Sequence, residues 1–79
     1  MPKSIAGYNA ESKNGKNAAI KYCQAWNNEI KEEGVALATD LVEKRIGRAM
    51  YNTKRNLLNL QIKDLNKCIA SINSQYAQK

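Results

Sequence analysis

Residues 3–79 of this 79-residue chain contain no proline. This absence limits the range of possible folds more than any other feature of the sequence. The single proline is Pro2, and after Gly34 the only glycine is Gly47. Proline and glycine interrupt helices most strongly, so little in the second half of the chain stops a long helix. Ala, Leu, Lys, Arg and Gln, which favour helices, are common there. We therefore predict an all-α fold.

The first predicted helix covers residues 16–33. Its apolar side chains recur at helical spacing and share one face, where core packing is expected: Ala19, Cys23, Trp26 and Ile30. Asn14 is suited to cap the start of this helix, and Gly34 suits the position just past its end. Residues 1–14 are rich in turn formers and are predicted to form a flexible arm.

Residues 35–77 are predicted to form one long helix, with a break at 51–54 as the alternative. A first apolar stripe comprises Val35, Ala38, Val42, Ile46, Ala49, Thr53, Leu57 and Leu60. A second stripe is a heptad seam made of Leu58, Ile62, Leu65, Ile69, Ile72 and Tyr76. At about 100° of rotation per residue the two stripes point in different directions. Either the seam packs against a second copy, or Thr53 caps a third helix and the seam closes a bundle.

Two architectures remain open: a helical hairpin with a long basic C-terminal helix, and a small three-helix bundle. A chain of this size buries only about 60–65% of its unfolded surface, so contact with another chain would stabilise it. A continuous helix over residues 35–76 would be about 63 Å long, beyond the reach of helix 16–33. We therefore expect a homo-oligomer, with a dimer favoured.

The residue inventory argues against catalysis. The chain has no histidine, the usual general acid or base near neutral pH. Cys23 and Cys68 alone cannot build a zinc site, and no glycine-rich phosphate loop occurs. We predict no enzyme activity, no catalytic residues, no metal site and no cofactor.

No segment resembles a signal peptide or a membrane span. The longest uninterrupted apolar run is residues 35–38, whereas a spanning helix needs about 20 apolar residues. Two cysteines far apart in sequence fit a reducing compartment. We expect a cytoplasmic protein without a membrane partner.

Positive charge is concentrated in the second half of the chain. The formal net charge is +6, and no acid occurs between Glu43 and Asp64. Arginine offers a planar fork for phosphate or carboxylate, and tyrosine can stack or donate a hydrogen bond. If the long helix is continuous, extending the heptad seam upstream places Lys44, Arg48, Tyr51 and Arg55 on one face, with three cations around a tyrosine. The candidate partner-binding residues within this tract are Lys44, Arg45, Arg48, Tyr51, Lys54 and Arg55.

Three functions are compatible with these features. The first is a non-enzymatic regulator or inhibitor that binds an acidic protein surface or a nucleoprotein stoichiometrically. Ten Asn and 13 Lys or Arg in so short a chain are compatible with a small phage or mobile-element protein of this type. The second is a nucleic-acid-binding protein that contacts phosphates with the same residues. The third is a structural, coiled-coil-like oligomer that works through the heptad seam.

Overall fold

The structure, a computed structural model, describes residues 3–76. This part of the chain contains three helices and no strand: α1 is Ile5–Ser12, α2 is Lys16–Val42 and α3 is Arg48–Tyr76. The prediction of an all-α fold, as a hairpin or small bundle, is confirmed. The described residues form a rod of 50 × 19 × 16 Å.

The predicted flexible arm at residues 1–14 is wrong for most of its length, because Ile5–Ser12 forms α1. Ser4 caps this helix, and its Oγ accepts a hydrogen bond from the Gly7 N–H at 3.2 Å. Tyr8 is buried in the core. The serine cap and the buried aromatic side chain both stabilise this short helix on its neighbour.

Helix α2 begins where predicted but runs past Gly34 to Val42. Buried Ile30 and Leu37 lie on either side of Gly34, so packing keeps both halves helical. The N-cap position is occupied by Gly15 and not by Asn14, and no side chain caps the start of the helix. Gly15 has a φ of 114°, a backbone conformation that residues with a Cβ rarely adopt.

The chain reverses at residues 43–47, so the predicted continuous helix over residues 35–77 is wrong, and the alternative break at 51–54 is misplaced. Just past the end of α2, Lys44 is in the left-handed region with φ 64°. Its N–H donates to the Leu41 carbonyl at 3.1 Å, and the Arg45 N–H donates to the Asp40 carbonyl at 2.8 Å. These two bonds form a Schellman motif, which ends a helix and is usually built on glycine.

Gly47 immediately precedes α3 and is not inside a helix, as the prediction of a long helix implied. Its carbonyl accepts the first helical hydrogen bond, from the Tyr51 N–H at 2.9 Å. Thr53 does not cap a helix either. It lies within α3, and its hydroxyl donates to the Ala49 carbonyl at 3.1 Å.

Helices α2 and α3 pack antiparallel, because the start of α2 lies beside the end of α3. The buried core consists of Tyr8, Ala19, Cys23, Trp26, Ile30, Leu37, Leu58, Leu65 and Cys68. The predicted core positions of Cys23 and Trp26 are confirmed.

The heptad seam of α3 contributes to this core. Leu58 and Leu65 are buried, Ile62 and Ile72 pack against the core, and Ile69 is 39% exposed. The Tyr76 side chain and residue 77 lie outside the described part of the chain. Leu58, Ile62, Leu65 and Ile72 thus pack within their own chain, and a second copy could use the buried leucines only by opening the hairpin.

The first apolar stripe does not form one packed face. Val35, Val42, Leu57 and Leu60 are all more than half exposed. The turn at residues 43–47 separates the two halves of the stripe. The side chains of the second half therefore point in directions set by α3 and not by α2. Residues that a continuous helix would align therefore lie on different helices.

Candidate binding surfaces

Of the six candidate partner-binding residues, Arg45 has a structural role in the turn. Its Nη1 donates to Asp40 Oδ1 at 2.9 Å, and its Nη2 forms an ion pair with Glu43. Its backbone N–H also bonds to the Asp40 carbonyl. Two carboxylates therefore offset its charge, and its guanidinium fastens the end of α2.

Tyr51 is half-buried and packs against the core. It lies seven residues before buried Leu58, so both occupy the inner face of α3. The predicted cluster of cations around an exposed tyrosine is therefore not assembled as drawn from the sequence.

Arg48 and Arg55 lie along one exposed line of α3, seven residues apart. The Arg55 guanidinium lies beside Gly34. Its Nη1 is 3.7 Å from the position that a Cβ would occupy if residue 34 had a side chain. Asn52 and Asn59 are exposed on the same side of the helix. We call Arg48, Asn52, Arg55 and Asn59 the basic face.

Four of the candidate cations have no intramolecular ion pair within residues 3–76: Lys44, Arg48, Lys54 and Arg55. All four are exposed. No ion pair in the described fold therefore depends on them, and their charges are available to a partner.

Lys54 is separated from the basic face and lines a groove between α2 and α3. The groove has a volume of about 310 Å³. We call it the α2–α3 groove, and its lining residues are Glu33, Ala36, Leu37, Asp40, Lys54, Leu57, Leu58 and Gln61. Lys54 and Arg55 are adjacent in sequence, so about 100° of rotation directs them to different sides of the hairpin.

Sequence reasoning missed this groove because it forms only when the chain reverses at residues 43–47. It also missed an asparagine row that the sequence does display. Asparagines recur every seven residues at 52, 59, 66 and 73, and all four are exposed on α3. Their regular spacing extends the polar side of the helix beyond the basic face.

The two thiols are buried where α2 meets α3. Burial raises the pKa of Cys23, and it raises the pKa of Cys68 to about 11, with smaller contributions from Cys23 and Asp64. Both side chains are therefore protonated packing groups at neutral pH. Over residues 3–76, no three His, Cys, Asp or Glu side chains come together as potential metal ligands.

Comparison of the chain with protein-family models, curated protein sequences and solved structures finds no match. In the part of the chain that the structure describes, no helix combines the length and apolar character needed to cross a membrane.

Proposed function

We propose that this chain is a non-enzymatic binding protein that docks onto an acidic surface of a protein or nucleoprotein through its basic face. It would act as a stoichiometric regulator or inhibitor in the cytoplasm, where its thiols stay reduced. The proposal rests mainly on one observation: Arg48 and Arg55 are exposed on one line of α3, with no ion pair in the described fold.

The chemistry of the basic face suits carboxylate or phosphate oxygens. Each arginine presents several donors in a fixed plane, and Asn52 and Asn59 add neutral donors and acceptors beside them. A charge-assisted hydrogen bond contributes about 1.5–3 kcal/mol. Two arginines on one ordered helix can therefore contribute substantially to affinity without a conformational change.

The test is capture of binding partners from a nuclease-treated lysate with three tagged proteins. These are the wild type, Arg48→Glu/Arg55→Glu, and a control with the same charge change, Lys16→Glu/Lys21→Glu. Lys16 and Lys21 are exposed on α2. We expect wild type and control to retain the same partner, and the arginine variant to bind it about 100-fold or more weakly. Equal retention by all three proteins would contradict the proposal.

Naked nucleic acid is the second candidate, because the same arginines could neutralise phosphates. Binding through two phosphate contacts predicts a slope of about −2 in a plot of log affinity against log salt concentration on duplex DNA. Loss of all captured material after nuclease treatment, together with that slope, would favour this candidate over an acidic protein surface.

A further inference from the structure

The α2–α3 groove continues the surface on which α1 lies. Lys3 Nζ contacts Glu29 Oε2 at 2.8 Å, which raises the pKa of Lys3. The Ser4 N–H donates to Tyr22 Oη at 3.0 Å. Tyr22, Glu29 and Ala36 lie seven residues apart, on one line of α2. The N-terminal segment covers the first two of these residues, and Ala36 lines the groove that it leaves uncovered.

Apolar side chains are concentrated at this uncovered end. Leu57 lines the groove and is 57% exposed. On the same helix, Met50 and Leu60 are 51% and 56% exposed, at spacings of seven and three residues from Leu57. The floor is apolar as well, with Ala36, Leu37 and Leu58 among its residues. An apolar ridge and an apolar groove thus lie side by side on one face of the hairpin.

We propose that this face forms a homodimer. Each copy places the ridge formed by Leu57 and Leu60 in the α2–α3 groove of the other. A two-fold axis pairs a surface with itself, so the ridge and groove of one copy can meet the groove and ridge of the other. Contiguous exposed apolar side chains, such as those of this ridge, are typical of an interaction site.

Charge on the two walls supports a second copy as the occupant. Glu33 lies on the α2 wall and Lys54 on the α3 wall, and neither forms an ion pair within residues 3–76. With the two-fold axis parallel to the helices, the α3 wall of each copy lies against the α2 wall of the other. Lys54 then faces Glu33 across the interface twice, which favours this register over one that opposes like charges.

The α2–α3 groove and the basic face are separate surfaces. The inference does not depend on the proposed function, because Arg55 lies beside Gly34 and outside the groove. The dimer would present two basic faces and could bind an extended acidic partner at two points.

Sedimentation equilibrium on the full chain, from low micromolar to submillimolar concentration, tests the dimer. The variant is Leu57→Lys/Leu60→Lys, and the matched control is Val35→Lys/Val42→Lys, whose residues are 68% and 78% exposed outside the groove. We expect twice the chain mass of 8.9 kDa for wild type and control, and 8.9 kDa for the variant with an unchanged circular dichroism spectrum. Wild type at 8.9 kDa throughout, or a dimeric variant, would overturn the proposal.

A charge exchange tests the register. Glu33→Lys and Lys54→Glu should each weaken the dimer about tenfold, and the double exchange should restore it. Failure of the double exchange to restore the dimer would contradict the Lys54–Glu33 pairing. Arg48→Glu/Arg55→Glu should remain dimeric, which separates failure of the dimer from failure of the basic face. A monomeric wild type that captures a foreign protein only when Leu57 and Leu60 are intact would assign the groove to another partner and overturn self-association.

Discussion

Gly7 and Gly34 occupy helices of the same molecule but differ in the space around them. A Cβ on Gly7 would overlap the hydroxyl of Tyr22, which holds the Ser4 backbone at the start of α1. A Cβ on Gly34 would meet only the Arg55 Nη1, at an ordinary contact distance of 3.7 Å. A side chain at position 7 would therefore displace the Tyr22 ring, whereas at position 34 glycine only weakens the helix.

These two glycines give a matched pair of stability predictions. Gly34→Ala should raise the free energy of unfolding by about 0.5–1 kcal/mol, because alanine loses less backbone entropy in a helix. Gly7→Ala should lower it by about 1–3 kcal/mol, because the added methyl group displaces Tyr22. Urea unfolding followed by circular dichroism measures both changes. Stabilisation by Gly7→Ala would contradict the described docking of α1.

At the scale of helices, the turn between α2 and α3 determines the fold. Its Schellman motif uses Lys44 in a left-handed conformation, and Arg45 reinforces it through Asp40. Most residues with a Cβ are destabilised in this conformation by about 1–2 kcal/mol. The turn therefore retains strain that a glycine would relieve.

Lys44→Gly should accordingly stabilise the protein by about 1 kcal/mol. The matched control is Lys63→Gly, an exposed position inside α3, which should destabilise it by about 1 kcal/mol. Thermal unfolding of both variants beside wild type gives the comparison. Destabilisation of similar size by the two substitutions would show that Lys44 is not left-handed.

The same turn explains how much of the fold was predictable. The spacing of Cys23, Trp26 and Ile30 identified the buried face of α2, because the apolar residues of an amphipathic helix recur at the helical period in the sequence. The position of the reversal could not be predicted, because Lys44 adopts the left-handed conformation that is usually found at glycine. Gly34 suggested a false end, since a helical glycine and a capping glycine look alike in sequence.

At the scale of the whole molecule, the reversal distributes the predicted binding residues over different surfaces. Heptad spacing correctly placed Arg48 and Arg55 on one side of a helix. It could not reveal that Arg45 is paired with Asp40, or that Lys54 lines a groove, because both facts depend on where the chain turns back. The result is a rod with the basic face and the α2–α3 groove on different sides.

In the proposed function, anionic partners bind at the basic face and not wherever the chain is positively charged. The most direct test is a titration of the isotopically labelled protein with a polyglutamate peptide, followed by nuclear magnetic resonance of backbone amides, arginine Nε and asparagine side-chain amides. We predict the largest shifts at the side chains of the basic face, which are Arg48, Asn52, Arg55 and Asn59. Shifts of similar size in the backbone amides around Lys16 and Lys21 would contradict it, because they would mean that net charge alone attracts the peptide.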